Sequence, residues 1–276
     1  FGGRNFDGFL DDTWVWDGSN WTQASPASSP PARCAPVMVY DAARNRTVLF
    51  GGWELDPNPI DLDDTWTWDG TDWTQQSPAE HPPAGSGHAA AYDAAQGHVV
   101  LYGGNETWSW NGSEWTLLDL LPGPASEGGH EMAYDAARGQ VVLFGGQDGL
   151  GSVNETWVYD GTGWTRVETS PDARDQHAMA YDAAHAQTVL FGGHYENSYT
   201  GTEYAYLDTW VWNESGWTRK FPANNPQARF QHAMAYDAAR GQVVLFGGDG
   251  GPGVHYGDTW VWDGADWMQN SPGTNP

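Results

Sequence analysis

Apolar and polar positions change places in short runs along this chain, and the runs recur. Gln187-Thr-Val-Leu-Phe191 is rich in β-branched and aromatic residues and stops at a glycine pair, which reads as a strand closed by a turn. His177-Ala-Met-Ala-Tyr181, just before it, is small and apolar and suits a crowded inner strand. Thr209-Trp-Val-Trp212 alternates, so its two Trp share one face. Trp217-Thr218 opens a fourth, outer strand. The pattern predicts a unit of four strands, a to d.

The unit repeats. Tyr236-Asp-Ala-Ala-Arg-Gly-Gln-Val-Val-Leu-Phe-Gly-Gly248 has near copies at 40–52, 92–104, 134–146 and 181–193, and Phe1-Gly2-Gly3 matches the end of a sixth. An Asp-Thr-Trp or Glu-Thr-Trp string follows each. The aromatic-Gly-Gly motifs start at 1, 50, 102, 144, 191 and 246. A period of about 50 residues with four strands per unit points to propeller blades. The expected fold is an all-β, six-bladed β-propeller in one domain, 1–276. Full blades are expected at 33–75, 85–117, 126–166, 173–219 and 228–269, with a half-blade at 1–23. The half-blade lacks strands a and b, and flanking sequence or another chain is expected to complete it, since an open sheet edge invites association.

The double Gly, the Arg-x-x-His at Arg174–His177 and Arg229–His232, and the Trp of the later strands resemble the kelch repeat. The resemblance covers essentially the whole chain and agrees in motif, order and period. It implies a kelch-type propeller of the kind seen in the central domain of galactose oxidase. It does not imply that family's activity, because a fold does not fix a function.

Copies can be compared with one another. The step from the template Tyr to the Gly-Gly aromatic is 10 in all five copies, and that from the strand c Trp to the strand d Trp is 7 in all six. These a–b and c–d connections make one face, which is uniform. The step from the Gly-Gly aromatic to the strand c Trp runs 13, 16, 6, 13, 19 and 14. The variable b–c loops share the opposite face, where binding and chemistry are expected. Off-template aromatics and His fall there: Trp53, His194, Tyr195, Tyr199, Tyr204, Tyr206, His255 and Tyr256. They read as a ligand-binding set, or as groups that pack long loops into ordered caps.

Composition alters this picture little. Seventeen of the 18 Trp are template residues; Trp53 is the exception. The net charge of −25 comes partly from template Asp, which suits tight turns. The remaining acidity, with no basic cluster, argues against nucleic acid and anionic membranes, and no apolar run has the length for membrane insertion. An acidic chain with one lysine, Lys220, suits a secreted bacterial protein, extracellular or periplasmic. Cys34 stands alone, which rules out an intrachain disulfide and, by its context, does not resemble the copper site of galactose oxidase.

Two constellations bear on chemistry. Arg33, Arg174 and Arg229, with His88, His130, His177 and His232, should ring the central funnel. In kelch repeats that His is a blade-to-blade hydrogen-bonding group; a metal-binding ring is the other reading. Asp56, Asp61 and Asp63 gather oxygens that calcium accepts, or serve as solvated turn-formers. No cofactor is required. The expected function is a binding or interaction module taking a glycan or a protein on the b–c face. The alternative is a sugar-acting enzyme (hydrolase, lyase or epimerase), with Arg174 and Arg229 clamping a carboxylate and a template His moving a proton. A third reading is a structural repeat of a larger surface protein.

Overall fold

The computed structural model describes the chain except residues 6–7, 56–57, 119–122, 126, 169 and 214–215. Among the described residues every regular element is a strand. Five antiparallel sheets have four strands each in the order a-b-c-d. The fifth blade shows the plan: Ala178–Asp182, Gln187–Phe191, Thr209–Asn213 and Gly216–Lys220. The half-blade is a two-stranded c–d pair, Trp14–Trp16 with Trp21–Gln23.

Register explains the alternation. Ala180 pairs with Val189, and Val189 with Val211, so these residues share one face. That face packs on Val243, Leu245, Trp262 and Trp267 of the next blade. The opposite face, with Met179, Leu190 and Trp212, packs on Ala133, Val142 and Phe144 of the preceding blade. Each blade is therefore apolar on both faces, and the core is a ring of inter-blade layers. Aromatic side chains carry most of the buried area in such layers.

Polar groups set the spacing between blades. The strand d indole donates to the buried Thr of the preceding blade's Asp/Glu-Thr-Trp string, and does so in every sector. The pairs are Trp73–Thr13, Trp115–Thr65, Trp164–Thr107, Trp217–Thr156, Trp267–Thr209 and Trp21–Thr259, at 2.9–3.0 Å. The last pair spans most of the chain and closes the ring. On the uniform face, Arg44 lies over Gly112 of the next blade, His185 over Gly264, and Arg240 over Gly18. Gly18 takes φ of 95°, a region that side chains disfavour, so that turn favours glycine.

The double Gly has a similar cause. Gly192 and Gly193 take φ of 65° and 106°, a region that side chains disfavour. Gly193 N–H donates to the next blade's Arg229 carbonyl at 2.9 Å. A Cβ on Gly192 would fall 2.5 Å from that carbonyl.

Candidate functional site

The b–c loops do form one face, and its central rim is built on a fixed backbone. In four blades the residue after the template Arg position, which holds Glu127 in the fourth blade, pairs with the residue after Gly-Gly. Cys34 bridges Trp53, Gly128 bridges Gln147, Asp175 bridges His194, and Phe230 bridges Asp249. Asp175 N–H donates to the His194 carbonyl at 2.9 Å, and His194 N–H returns the bond at 2.8 Å. This backbone pairing is the same in the second, fourth, fifth and sixth blades while the side chains differ in each.

The chemistry therefore changes around the rim. On one side Trp53 meets Phe9 edge-on, with ring centroids 4.7 Å apart, and burial raises the Cys34 thiol pKa. On the other side Asp175 is fully buried. Its Oδ2 accepts from Ser152 Oγ at 2.5 Å and from Gln147 Nε2 at 3.0 Å. Its Oδ1 lies 3.7 Å from His194 Nδ1, an ion-pair contact rather than a hydrogen bond, and Glu203 lies 4.0 Å from Nε2. Asp175 beside it raises the His194 pKa above the ordinary value. The His194 ring packs on Phe230 at 5.0 Å, and His255 pairs with Asp249 at 3.2 Å.

Above this side stands a wall. The fourth and fifth loops join into one sheet: Gln147–Asp148, Gly151–Ser152, His194–Asn197 and Thr202–Ala205. Tyr195 and Tyr204 are register partners and stack at 5.0 Å; Tyr206 meets Tyr204 edge-on at 5.1 Å. Tyr199 is 82% exposed, and Tyr204, Leu150 and Val254 are also exposed. The third loop is a bare turn through Gly104 and Asn105. The structure thus gathers Tyr195, Tyr204 and Tyr206. Trp53 is not among them; its ring partner is Phe9.

Tyr206 and Tyr256 have a second role that sequence reasoning missed. Each lies over a template guanidinium, Tyr206 on Arg174 at 3.9 Å and Tyr256 on Arg229 at 4.2 Å. The arginines themselves are fully buried. Arg174 donates to the Asp172 and Gly192 carbonyls and, bidentately, to Asp208. Arg33 does the same with Asp64, and Arg229 with Asp258. Each of these Asp also accepts the indole N–H of the Trp two residues on. Burial acts to raise the three carboxyl pKa values; the arginine bonds outweigh it and hold them below the usual range. Their donors are engaged inside the blade, so these arginines hold the protein's own carboxylates. The signal was legible: copies with Arg carry Asp before Thr-Trp, whereas copies with Glu106 and Glu155 have Gly85 and Glu127 in place of Arg.

The four His stand between blades. Each ring lies against the Gly-Gly aromatic of the preceding blade, at 5.2–5.6 Å from Phe50, Tyr102, Phe144 and Phe191 in turn. His130 Nε2 meets the Tyr102 carbonyl at 3.2 Å. Burial lowers all four pKa values, to about 4 in His130 and about 3 in His232. Glu131 went unremarked in the sequence. It sits in strand a where other copies carry Val37, Ala89, Ala178 and Ala233. Part of its surface stays accessible, yet the dense surroundings push its carboxyl up to about 8.

Asp56 lies outside the described residues. Asp61 and Asp63 are exposed, and Asp63 lies 3.7 Å from His81. Among the described residues no three His, Cys, Asp or Glu side chains gather as a metal site. No helix is long and apolar enough to cross a membrane. One cavity lies on the uniform face and another beside the fourth b–c loop. The first, of about 310 Å³, is lined by Asp41, Arg44, Trp110 and Gly112, and the second, of about 110 Å³, lies by Leu143, Val153 and Trp157.

Comparison with known proteins agrees with this geometry. No curated protein matches the sequence. A solved structure described as "Structure of YjhT" superposes with a TM-score of 0.73 at 12% identity, covering 98% of this chain and 96% of that one. At that identity the likeness speaks for the fold alone. The family model for the KLHDC2/KLHL20/DRC7 Kelch-repeats domain matches residues 106–268. With that match over more than half its length, and with its repeated sheets, glycine pairs and inter-blade indoles, the chain belongs to the kelch-repeat β-propellers.

Proposed function

We propose that this kelch propeller is an interaction module that takes a protein partner on its b–c face, against the wall of the fourth to sixth loops. The observation that carries the reading is the rim: a hydrogen-bonded backbone pairing repeated in four blades presents different side chains in each of them. Such a frame varies specificity without disturbing the fold. The wall adds exposed Tyr199, Tyr204, Leu150 and Val254, and aromatic anchors of this kind dominate protein interfaces. The enzyme reading loses its carboxylate clamp, because Arg174 and Arg229 already bind Asp208 and Asp258.

The test pairs a partner screen with loop variants. Immobilised protein is offered a proteome and, separately, a glycan array, and hits are titrated. Tyr199→Ala with Tyr204→Ala should weaken a protein hit at least about tenfold, equivalent to roughly 1.4 kcal/mol or more, and leave the Tm unchanged. Hits confined to the glycan array, or a protein hit indifferent to these substitutions, would overturn the reading.

A further inference from the structure

Charge is divided unevenly between the two faces. The a–b turns of the uniform face carry Arg44, Arg46, Arg138 and Arg240. Arg166, Arg219 and Lys220 lie in outer strands. Arg33, Arg174 and Arg229 are buried and paired. The b–c loops after the first contain no Lys or Arg. Within those loops, histidine is the only side chain that can carry positive charge.

The wall concentrates the acids. Glu196 and Glu203 are register partners in the fifth loop's hairpin, and like charges directly opposite each other repel across a strand pair. His194 lies two residues from Glu196 and so shares that face, with Glu203 4.0 Å from its Nε2. At the foot stands Asp175, fully buried. Its Oδ1 and the His194 Nδ1 that faces it at 3.7 Å are both buried, and neither makes a hydrogen bond. Ser152 fixes the parts, because its Oγ donates to Asp175 at 2.5 Å and accepts from the Glu196 N–H at 2.9 Å. Three carboxylates are thus held around one imidazole. Even with His194 protonated, the cluster keeps an excess of negative charge, and among the described residues no Lys or Arg pairs with Glu196 or Glu203.

We propose that this cluster takes an arginine side chain of the partner, so that the segment docking on the b–c face is a cationic peptide. The inference rests on the protein-partner reading above and adds its chemistry. A cation between Glu196 and Glu203 turns a like-charge contact of the free protein into two attractive ones. Two carboxylates on neighbouring strands suit the planar fork of a guanidinium better than the point charge of lysine. The other face of the hairpin carries the stacked Tyr195 and Tyr204. Apolar residues that flank the arginine have these rings and the exposed Tyr199 to pack on.

An array of synthetic nonapeptides, uncharged except at the central residue, tests it. That residue is Arg, Lys, citrulline or Glu. Arginine peptides should capture the protein at least about tenfold better than their citrulline counterparts, which keep the shape and lose the charge. Capture should fall as salt screens the cluster. Glu196→Gln with Glu203→Gln should weaken the best arginine peptide at least about tenfold and leave the Tm no lower than the parent's. Asp160→Asn with Asp263→Asn removes the same charge from the uniform face, at turns where the third blade already carries Asn111. That control should change binding by less than about twofold. Equal capture of arginine and citrulline peptides would overturn the proposal. So would a control variant that weakens binding as much as the loop variant, or self-association of the free protein that Glu196→Gln with Glu203→Gln abolishes. A protein hit that needs Tyr199 and Tyr204 but neither arginine nor the two Glu would overturn this inference and leave the wider reading standing. Capture that needs arginine and both Glu but neither Tyr would uphold this inference and overturn the aromatic anchoring.

Discussion

At the scale of single residues, the repeated polar groups act as spacers more than as chemistry. A buried guanidinium is tolerable only with its donors met and its charge paired. Arg174 meets that condition through Asp208, two carbonyls and the Tyr206 face. Arg174→Ala leaves Asp208 buried and uncompensated, and breaking such a pair costs about 3–5 kcal/mol. Chemical denaturation of the variant should show that loss at pH 7; a midpoint within error of the parent's would show the pair to be dispensable. The same logic separates Tyr206 from Tyr204. Tyr206 caps a buried cation and belongs to the fold, whereas Tyr204 is half-exposed and free to meet a partner.

At the scale of elements, the blade is the unit and the inter-blade layer the bond. Each layer repeats an indole-to-Thr hydrogen bond. Removing the acceptor leaves a buried N–H orphaned, at about 1–3 kcal/mol. The layer between the sixth blade and the half-blade is special because Trp21–Thr259 closes the ring. Thr259→Val should therefore speed hydrogen exchange at Trp21–Gln23 while sparing the third and fourth blades. Thr107→Val, in an interior layer, should act on its own blade pair instead. Equal exchange at Trp21–Gln23 in the parent and Thr259→Val would show that other contacts hold the closure.

At the scale of the whole molecule, the buried titrating groups define a pH response. His88, His130, His177 and His232 are held neutral, with folded pKa values below the unfolded one. Below about pH 6.5 the unfolded chain takes up protons that these rings refuse, so stability falls as pH drops toward 4. His194 has the opposite sign, since Asp175 raises it and its contribution fades as pH rises. Glu131, raised to about 8, favours the folded state at low pH and opposes it as pH climbs from about 4.5 to 8. Denaturant titrations at successive pH values should show a slope between pH 6.5 and 4.5. His177→Gln should reduce that slope by about one proton's share, roughly 1.4 kcal/mol per pH unit, whatever it does to absolute stability. Glu131→Gln should raise the Tm at pH 8 and converge with the parent below pH 4.5. A slope unchanged in His177→Gln would mean that this ring is charged in the folded state.

The strands, their order and the kelch family were legible in the sequence, because period-two alternation, Gly-Gly stops and template Trp are local signals that recur. So was the division into a uniform and a variable face, since connection lengths alone carry it. The Asp turns were legible for the same reason: Asp69 Oδ1 accepts from the Thr71 and Asp72 amides two and three residues on. What neighbouring blades do to one another required the tertiary structure. Sequence left Arg174 free to clamp a ligand, but packing spends its donors on Asp208, 34 residues away. It grouped Trp53 with the loop tyrosines, but the fold sets Trp53 against Phe9 and Tyr195 against Tyr204. Glu131 looked like one acid among 36; dense surroundings alone single it out. The physical reason is common to these cases. Local pattern determines which way a side chain points from its strand, whereas the partner it meets there is chosen by how the blades close into a ring.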